Sequence, residues 1–166
     1  MKRAIIVAGV GTVLIGSVLS APAAHADERT CRGTIGAVTV DNVRVPAGAT
    51  CTLNRTYVKG TVKVERNARL KSVATRIVGN IQAEGHYSVI VGSSTIGGSI
   101  QLKQGKAAWI QSNRVTGDIQ LFTNRSSQSV VSNRVNGNLQ CKSNVPAPTG
   151  RGNVVGGNKE DQCRRF

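Results

Sequence analysis

Gly79-Asn80-Ile81-Gln82, Gly98-Ser99-Ile100-Gln101 and Gly117-Asp118-Ile119-Gln120 return at a constant spacing of 19 residues, and that return decides the fold. Gly60-Thr61-Val62-Lys63 precedes them at the same spacing. Gly137-Asn138-Leu139-Gln140 and a degenerate Gly157-Asn158-Lys159-Glu160 follow at 20, and Asp41-Asn42-Val43-Arg44 opens an earlier copy. A short unit repeated at fixed period cannot bury its own apolar face, so it must stack on its neighbours and share one core.

Aligned from the glycine, the third position reads Val43, Val62, Ile81, Ile100, Ile119, Leu139 and the fifth reads Val45, Val64, Ala83, Leu102, Leu121, Cys141. Between them stand Arg44, Lys63, Gln82, Gln101, Gln120 and Gln140. Apolar, polar, apolar is the period of a strand with one buried face. Leu70 and Val89 with Val91 and Ile110 supply a second inner pair of columns, and Val58, Ile77, Ile96, Val115, Val135, Val155 a third inner column. Like residues in register let the four glutamines pass amide hydrogen bonds along the axis.

The first position, and the eighth with Gly48, Asn67, His86, Gly105, Asn124 and Asn144, hold residue types that accept a left-handed backbone. A third corner precedes the small polar column Thr56, Thr75, Ser94, Asn113, Asn133, Asn153. Three short strands and three bends per unit describe an all-β, single-stranded parallel β-helix (β-solenoid) of roughly triangular section, with 19–20 residues per rung. Right-handed winding is expected for units of this length. A helical reading fails on the period of two and on the Val, Ile, Gly and Asn content. A β-sandwich would alternate too, but would not keep residue identities in columns. The copy starting at Gly117 is one residue longer, which predicts a widened bend around Asn124 to Gln128.

Residues 1–26 read as a signal peptide: Lys2 and Arg3, an apolar run from Ala4 to Leu19, then Ala24-His25-Ala26 as the cleavage site. Residues 27–166 form the β-helix domain, secreted and without an integral membrane segment after cleavage. Of 22 basic residues two lie in the leader, leaving 20 against 8 acidic ones, a net +12. Such an excess attracts polyanions. Arg55, Lys59, Lys63, Arg66, Arg69, Lys71 and Arg76 lie close together in the chain, faced only by Glu65, and are the polyanion-binding candidates. A solvated face that only confers solubility is the competing reading.

All four cysteines lie in the exported part, as in proteins of oxidising compartments. Residues one period apart occupy adjacent rungs about 4.8 Å apart, within reach of a disulfide. Cys31 with Cys51 (20 apart) and Cys141 with Cys163 (22 apart) are therefore expected to staple the two ends. The absence of a close CxxC pair and the single mature histidine argue against a metal site.

His86 shares its column with Gly and Asn, which points to a structural role. Glu65 and Glu84 share the sixth column and would form an acid pair, but Lys103 follows them and favours a surface ion-pair ladder. No carboxylate cluster of the polysaccharide-lyase kind, Ser-His-acid set or phosphate-cradling glycine loop is apparent, so no catalytic residue, metal or cofactor is assigned. In the outward column Thr52, Lys71, Ile90, Trp109, an apolar pair stands on a polar face; Tyr87, Ile90, Trp109 and Phe122 are the candidate ligand or partner patch.

The opening Val43 to Leu53, the middle Gly79 to Gly85, the closing Gly137 to Thr149 and Gly156 to Cys163 resemble small exported actinobacterial β-solenoid proteins of unassigned role. That resemblance covers nearly the whole mature chain and implies a solenoid with a disulfide at each end, without an activity to carry over. The rung pattern alone is also similar to that of bactofilins, cytoskeletal β-helices that polymerise end to end, from which the signal peptide and cysteines depart.

The expected coil runs from about Arg32 to about Leu139, and the proline-containing segment Val145 to Gly150 belongs to a closing tail. The sequence points to a non-catalytic secreted scaffold or adhesion module binding an anionic cell-wall or extracellular polymer, with nucleic acid not expected as its partner. A carbohydrate-binding or carbohydrate-active protein using the Trp109 face is one alternative. A self-assembling surface protein is the other.

Overall fold

A computed structural model describes residues 27–166; the expected leader and its cleavage site lie outside them. Among the described residues there are 22 short strands and no helix, arranged in three parallel sheets of eight, seven and seven strands. Each strand pairs with its equivalents one repeat before and after, so the chain is a parallel β-solenoid with three faces.

The predicted columns are physical stacks. In the first sheet Val43, Val62, Ile81, Ile100, Ile119 and Leu139 are successive register partners, as are Val45, Val64, Ala83, Leu102, Leu121 and Cys141. The second sheet stacks Cys51, Leu70, Val89 and Ala108, and Val91, Ile110 and Val130. The third stacks Val40, Val58, Ile77, Ile96, Val115, Val135 and Val155. Nearly all of these side chains are withdrawn from solvent. Each fully buried aliphatic side chain contributes roughly 1.5–3 kcal/mol of burial. The narrow interior takes aliphatic layers and no phenyl or indole ring.

Two expectations about the corners are corrected. The first-position glycines are not left-handed; the glycines with positive φ are Gly33, Gly48, Gly85 and Gly152. They are small because their backbone lies on the preceding rung: a Cβ on Gly79 would stand 2.6 Å from the Gly60 carbonyl oxygen, and one on Gly117 2.9 Å from that of Gly98. The side chain at the second position of the unit accepts the equivalent N–H of the next rung, as in Thr61 N–H to Asn42 Oδ1 (2.8 Å) and Ser99 N–H to Asn80 Oδ1 (2.8 Å).

The eighth column contains two corner forms. Gly48 and Asn67 are left-handed, and the next residues, Ala49 and Ala68, point inward. From the third rung the left-handed residue moves back by one, to Gly85, Gln104, Thr123 and Ser143. His86, Asn124 and Asn144 then turn inward and are buried. The asparagines form a ladder: Asn124 Oδ1 accepts Gly105 N–H (2.9 Å), and Asn144 Oδ1 accepts Asn124 N–H (3.0 Å).

The third corner behaves likewise. Asn113, Asn133 and Asn153 stack, each lower amide oxygen accepting the backbone N–H above at 3.0 Å. The residues before the small polar column, Arg55, Ala74, Ser93, Ser112 and Ser132, are left-handed without being glycine.

The coil is longer than expected at both ends. Glu28–Thr30 pairs with Asn42–Val45, and beyond the prolines Thr149–Arg151, Val154–Val155 and Lys159–Asp161 each continue a sheet. Pro146 and Pro148 sit in the bend before Thr149, so the ladder loses no donor. Phe166 packs against Gly150 at the last rung.

Disulfides join Cys31 to Cys51 and Cys141 to Cys163, with Cα separations of 5.5 and 5.3 Å. The bridges are diagonal: the register partner of Cys51 is Gly33, and that of Cys141 is Asp161. Two disulfides suit an oxidising, extracellular environment. No helix among the described residues is long and apolar enough to cross a membrane.

Candidate functional site

The basic residues between Arg55 and Arg76 do not all share one face. One period of chain visits all three faces, so the Arg55–Arg76 group is wound around the coil. Lys63 projects from the first sheet, Arg69 and Lys71 from the second, and Arg76 from the third. Arg55 lies at the bend between the second and third sheets, and Arg66 at the bend after the first. Lys59 is ion-paired to Asp41 at 3.1 Å. These candidates do not form one patch.

Carboxylates sort by face. Glu28, Glu84, Glu160 and Asp161 lie on strands of the first sheet, and Asp27, Asp41, Glu65 and Asp118 lie beside those strands. The second and third sheets and the bend between them contain none. That flank carries Arg55, Arg69, Lys71 and Arg76 and also Arg114, Arg134 and Arg151. Arg114 and Arg134 are register partners on neighbouring strands, and among the described residues neither joins an ion pair. Like charges directly opposite are unfavourable unless an anion lies between or over them. Two of the three added arginines carry a sequence signal: Arg114 and Arg134 stand in the column of Arg76, two and three rungs on.

A shallow groove of ≈ 940 Å³ lies beside the first sheet where the corner form changes between the second and third rungs. Lys63, Arg66, Lys103 and Lys106 line it together with Gln82, Gln101, Gln104, Glu65 and Glu84. Glu65 accepts Ala47 N–H (3.0 Å) and the Arg44 guanidinium (3.3 Å). The Ala47 N–H, above all, holds its carboxyl below the usual range; desolvation opposes it, and Arg44 and then the more distant Lys63 act with it. A carboxylate held ionised in this way is poorly suited to donating a proton. Glu84 and Lys103 are register partners, but no ion pair joins them, so the expected ladder is not formed.

His86 is buried beneath Gly105, whose missing Cβ leaves room for the ring. Neither ring nitrogen has a well-formed hydrogen-bond partner, though the Ala83 backbone lies close enough to oppose the shift weakly. Desolvation dominates and lowers its pKa to about 4. The ring fills the corner.

The expected apolar patch divides. Ile90 and Trp109 are register partners on the outer face of the second sheet, with Trp109 43 % exposed. Tyr87 lies at the bend before that sheet, with the Arg69 guanidinium 3.8 Å and the Lys106 ammonium 4.8 Å from its ring centroid. Phe122 belongs to the first sheet, between its register partners Lys103 and Lys142, because it sits one strand earlier in the rung. Lys103 Nζ stands 5.8 Å from the Phe122 centroid.

No protein-family model, curated protein or solved structure matches the chain.

Proposed function

We propose that this chain is a non-catalytic exported binding module that holds an anionic polymer of the cell envelope or extracellular space along its carboxylate-free flank. Membership of the small exported actinobacterial solenoids belongs to the same reading. The observation that carries it is the separation of charge by face: seven cations and no carboxylate on two of three sheets and the bend joining them. A rigid rod presenting arginines at strand spacing lets one extended polyanion meet several cations without ordering the protein.

The test is retention of the mature chain on purified cell walls across a salt series. Each cation beside an anionic surface is worth roughly 1 kcal/mol, so replacing both Arg114→Glu and Arg134→Glu lowers retention by at least about tenfold. Retention should also fall steeply with salt. Absent or salt-insensitive retention, or retention unchanged in the double variant, rejects the reading.

A second reading has one observation in its favour. Trp109, exposed beside Ile90 on a flat sheet face, is a surface on which a sugar ring can stack. Loss of binding to a glycan array in Trp109→Ala would support it.

A further inference from the structure

We propose that the outer face of the first sheet carries a binding site for an acidic sugar, formed by Gln101, Gln120, Lys103, Phe122 and Lys142. This site lies off the carboxylate-free flank and does not depend on it.

The motivating feature is a break in the glutamine ladder. Gln82 Nε2 donates to Gln101 Oε1 (3.4 Å), Gln120 Nε2 to Gln140 Oε1 (2.9 Å) and Gln140 Nε2 to Glu160 Oε2 (2.8 Å). No bond joins Gln101 to Gln120, although they are register partners like the others. At that one step an amide N–H₂ and an amide oxygen face solvent with unused capacity. A sugar hydroxyl both accepts and donates, so a single hydroxyl can accept from Gln101 Nε2 and donate to Gln120 Oε1.

Two residues along the same strands, roughly 7 Å away, Lys103 and Phe122 are also register partners, and Lys142 follows on the next rung. Phe122 is the one aromatic in a column that elsewhere reads Pro46, Glu65, Glu84, Lys103, Lys142 and Gln162. The distance from the amide pair to the phenyl ring is about the width of one pyranose. A ring lying flat with its C–H face on Phe122 and one hydroxyl at the amide gap places an attached carboxylate or phosphate between the two ammonium groups. Glu84 is the register partner of Lys103 on the side away from Phe122 and does not pair with it, and Glu160 is engaged by Gln140. Gln101 and Lys103 also line the groove described above, which leaves room for a second sugar.

The decisive measurement is a ¹H–¹⁵N titration of the labelled mature chain at fixed ionic strength, with glucuronate, glucose 6-phosphate, glucose and inorganic phosphate as separate probes. The side-chain amide signals of Gln101 and Gln120 should shift saturably with glucuronate or glucose 6-phosphate, and the stronger of the two identifies the acid group. Glucose should bind about tenfold more weakly, and inorganic phosphate should leave these amides in place. Phe122→Ala should lower acidic-sugar affinity about tenfold; should that variant not fold, Gln120→Leu serves, with thermal unfolding as the control for both. The Arg114→Glu, Arg134→Glu double variant should titrate like the wild type, so failure of the flank and failure of this site are separable. Amides silent to both acidic sugars, equal shifts with inorganic phosphate, or unchanged affinity in a folded Phe122→Ala or Gln120→Leu chain would each overturn the proposal.

Discussion

The corner entering the first sheet and the corner leaving it bend the same chain on every rung by different means. On entry, Gly60, Gly79, Gly98, Gly117, Gly137 and Gly157 recur because backbone lies on backbone: Gly98 N–H donates to the Gly79 carbonyl at 2.9 Å, with no space for a Cβ. On exit the inward position is taken by Ala49, Ala68, His86, Gly105, Asn124 and Asn144, in two backbone forms. A requirement set by main-chain contact admits one residue type. A requirement to fill a hollow admits any group of suitable volume whose polar atoms find partners.

The sharpest way to break that contrast is to give a late exit corner the residue of an early one. Asn124→Ala copies Ala68, but Asn124 also accepts Gly105 N–H and donates to the Leu102 carbonyl at 3.0 Å. Truncation leaves the buried Gly105 N–H unpaired, at about 1–3 kcal/mol, and removes the amide's bonds to the Leu102 carbonyl and to Asn144 Oδ1 (3.1 Å), at about 0.5–1.5 kcal/mol each, so the expected loss is about 3–5 kcal/mol. Urea unfolding followed by circular dichroism reads it; a loss below about 1 kcal/mol would mean the Asn ladder is volume alone. Next in size is the entry corner. Gly98→Ala sets a Cβ 2.8 Å from the Gly79 carbonyl oxygen, which cannot move without moving its rung, and should cost about 2–3 kcal/mol by the same assay. Tolerance of that methyl group would remove the close-contact explanation of the repeating glycine.

How much of this was readable beforehand follows the same division. The stacks through Ile81, Ile100 and Ile119 were legible because parallel in-register pairing imposes its period directly on the sequence. The disulfide partners were legible too, although the diagonal geometry was not, since it depends on where each cysteine sits relative to a strand end. The exit corner misled because a one-residue shift of the left-handed position leaves Gly and Asn in the same alignment column, facing differently. For the candidate surfaces the limit is one of distance: Arg55 to Arg76 are close along the chain, whereas in a solenoid proximity is measured in whole periods. Counting from Arg76 in periods finds Arg114 and Arg134 without coordinates. The gap between Gln101 and Gln120 carries no sequence signal, because four identical residues differ only in side-chain torsion.

His86 sharpens the comparison through pH. Its folded pKa of about 4 lies below its ordinary value of 6.5, so the folded state binds fewer protons than the unfolded one between those values. The stability that depends on a neutral imidazole is present above pH 6.5 and is lost as pH falls toward 4. About 2 kcal/mol should disappear between pH 7 and pH 4.5 on this account. In His86→Asn, which places at this corner the residue found at Asn124 and Asn144, that fraction of the pH dependence should vanish. Parallel denaturation series at the two pH values decide it, and identical slopes in both chains would show that His86 is not the titrating group.

The smallest effect separates backbone conformation from backbone contact. Ala74, at the bend between the second and third sheets, has φ of 54° and donates its N–H to the Gly92 carbonyl at 3.0 Å. A left-handed non-glycine residue costs roughly 1–2 kcal/mol, while glycine loses roughly 0.5–1 kcal/mol more chain entropy on folding than alanine. Ala74→Gly should therefore raise stability by about 0.5 kcal/mol, opposite in sign to Gly98→Ala. A thermal-melt increase of a few degrees would confirm that glycine relieves torsional strain at this bend and close packing at the entry corner. A decrease would mean that the alanine methyl group contributes more packing at this bend than its backbone strain removes.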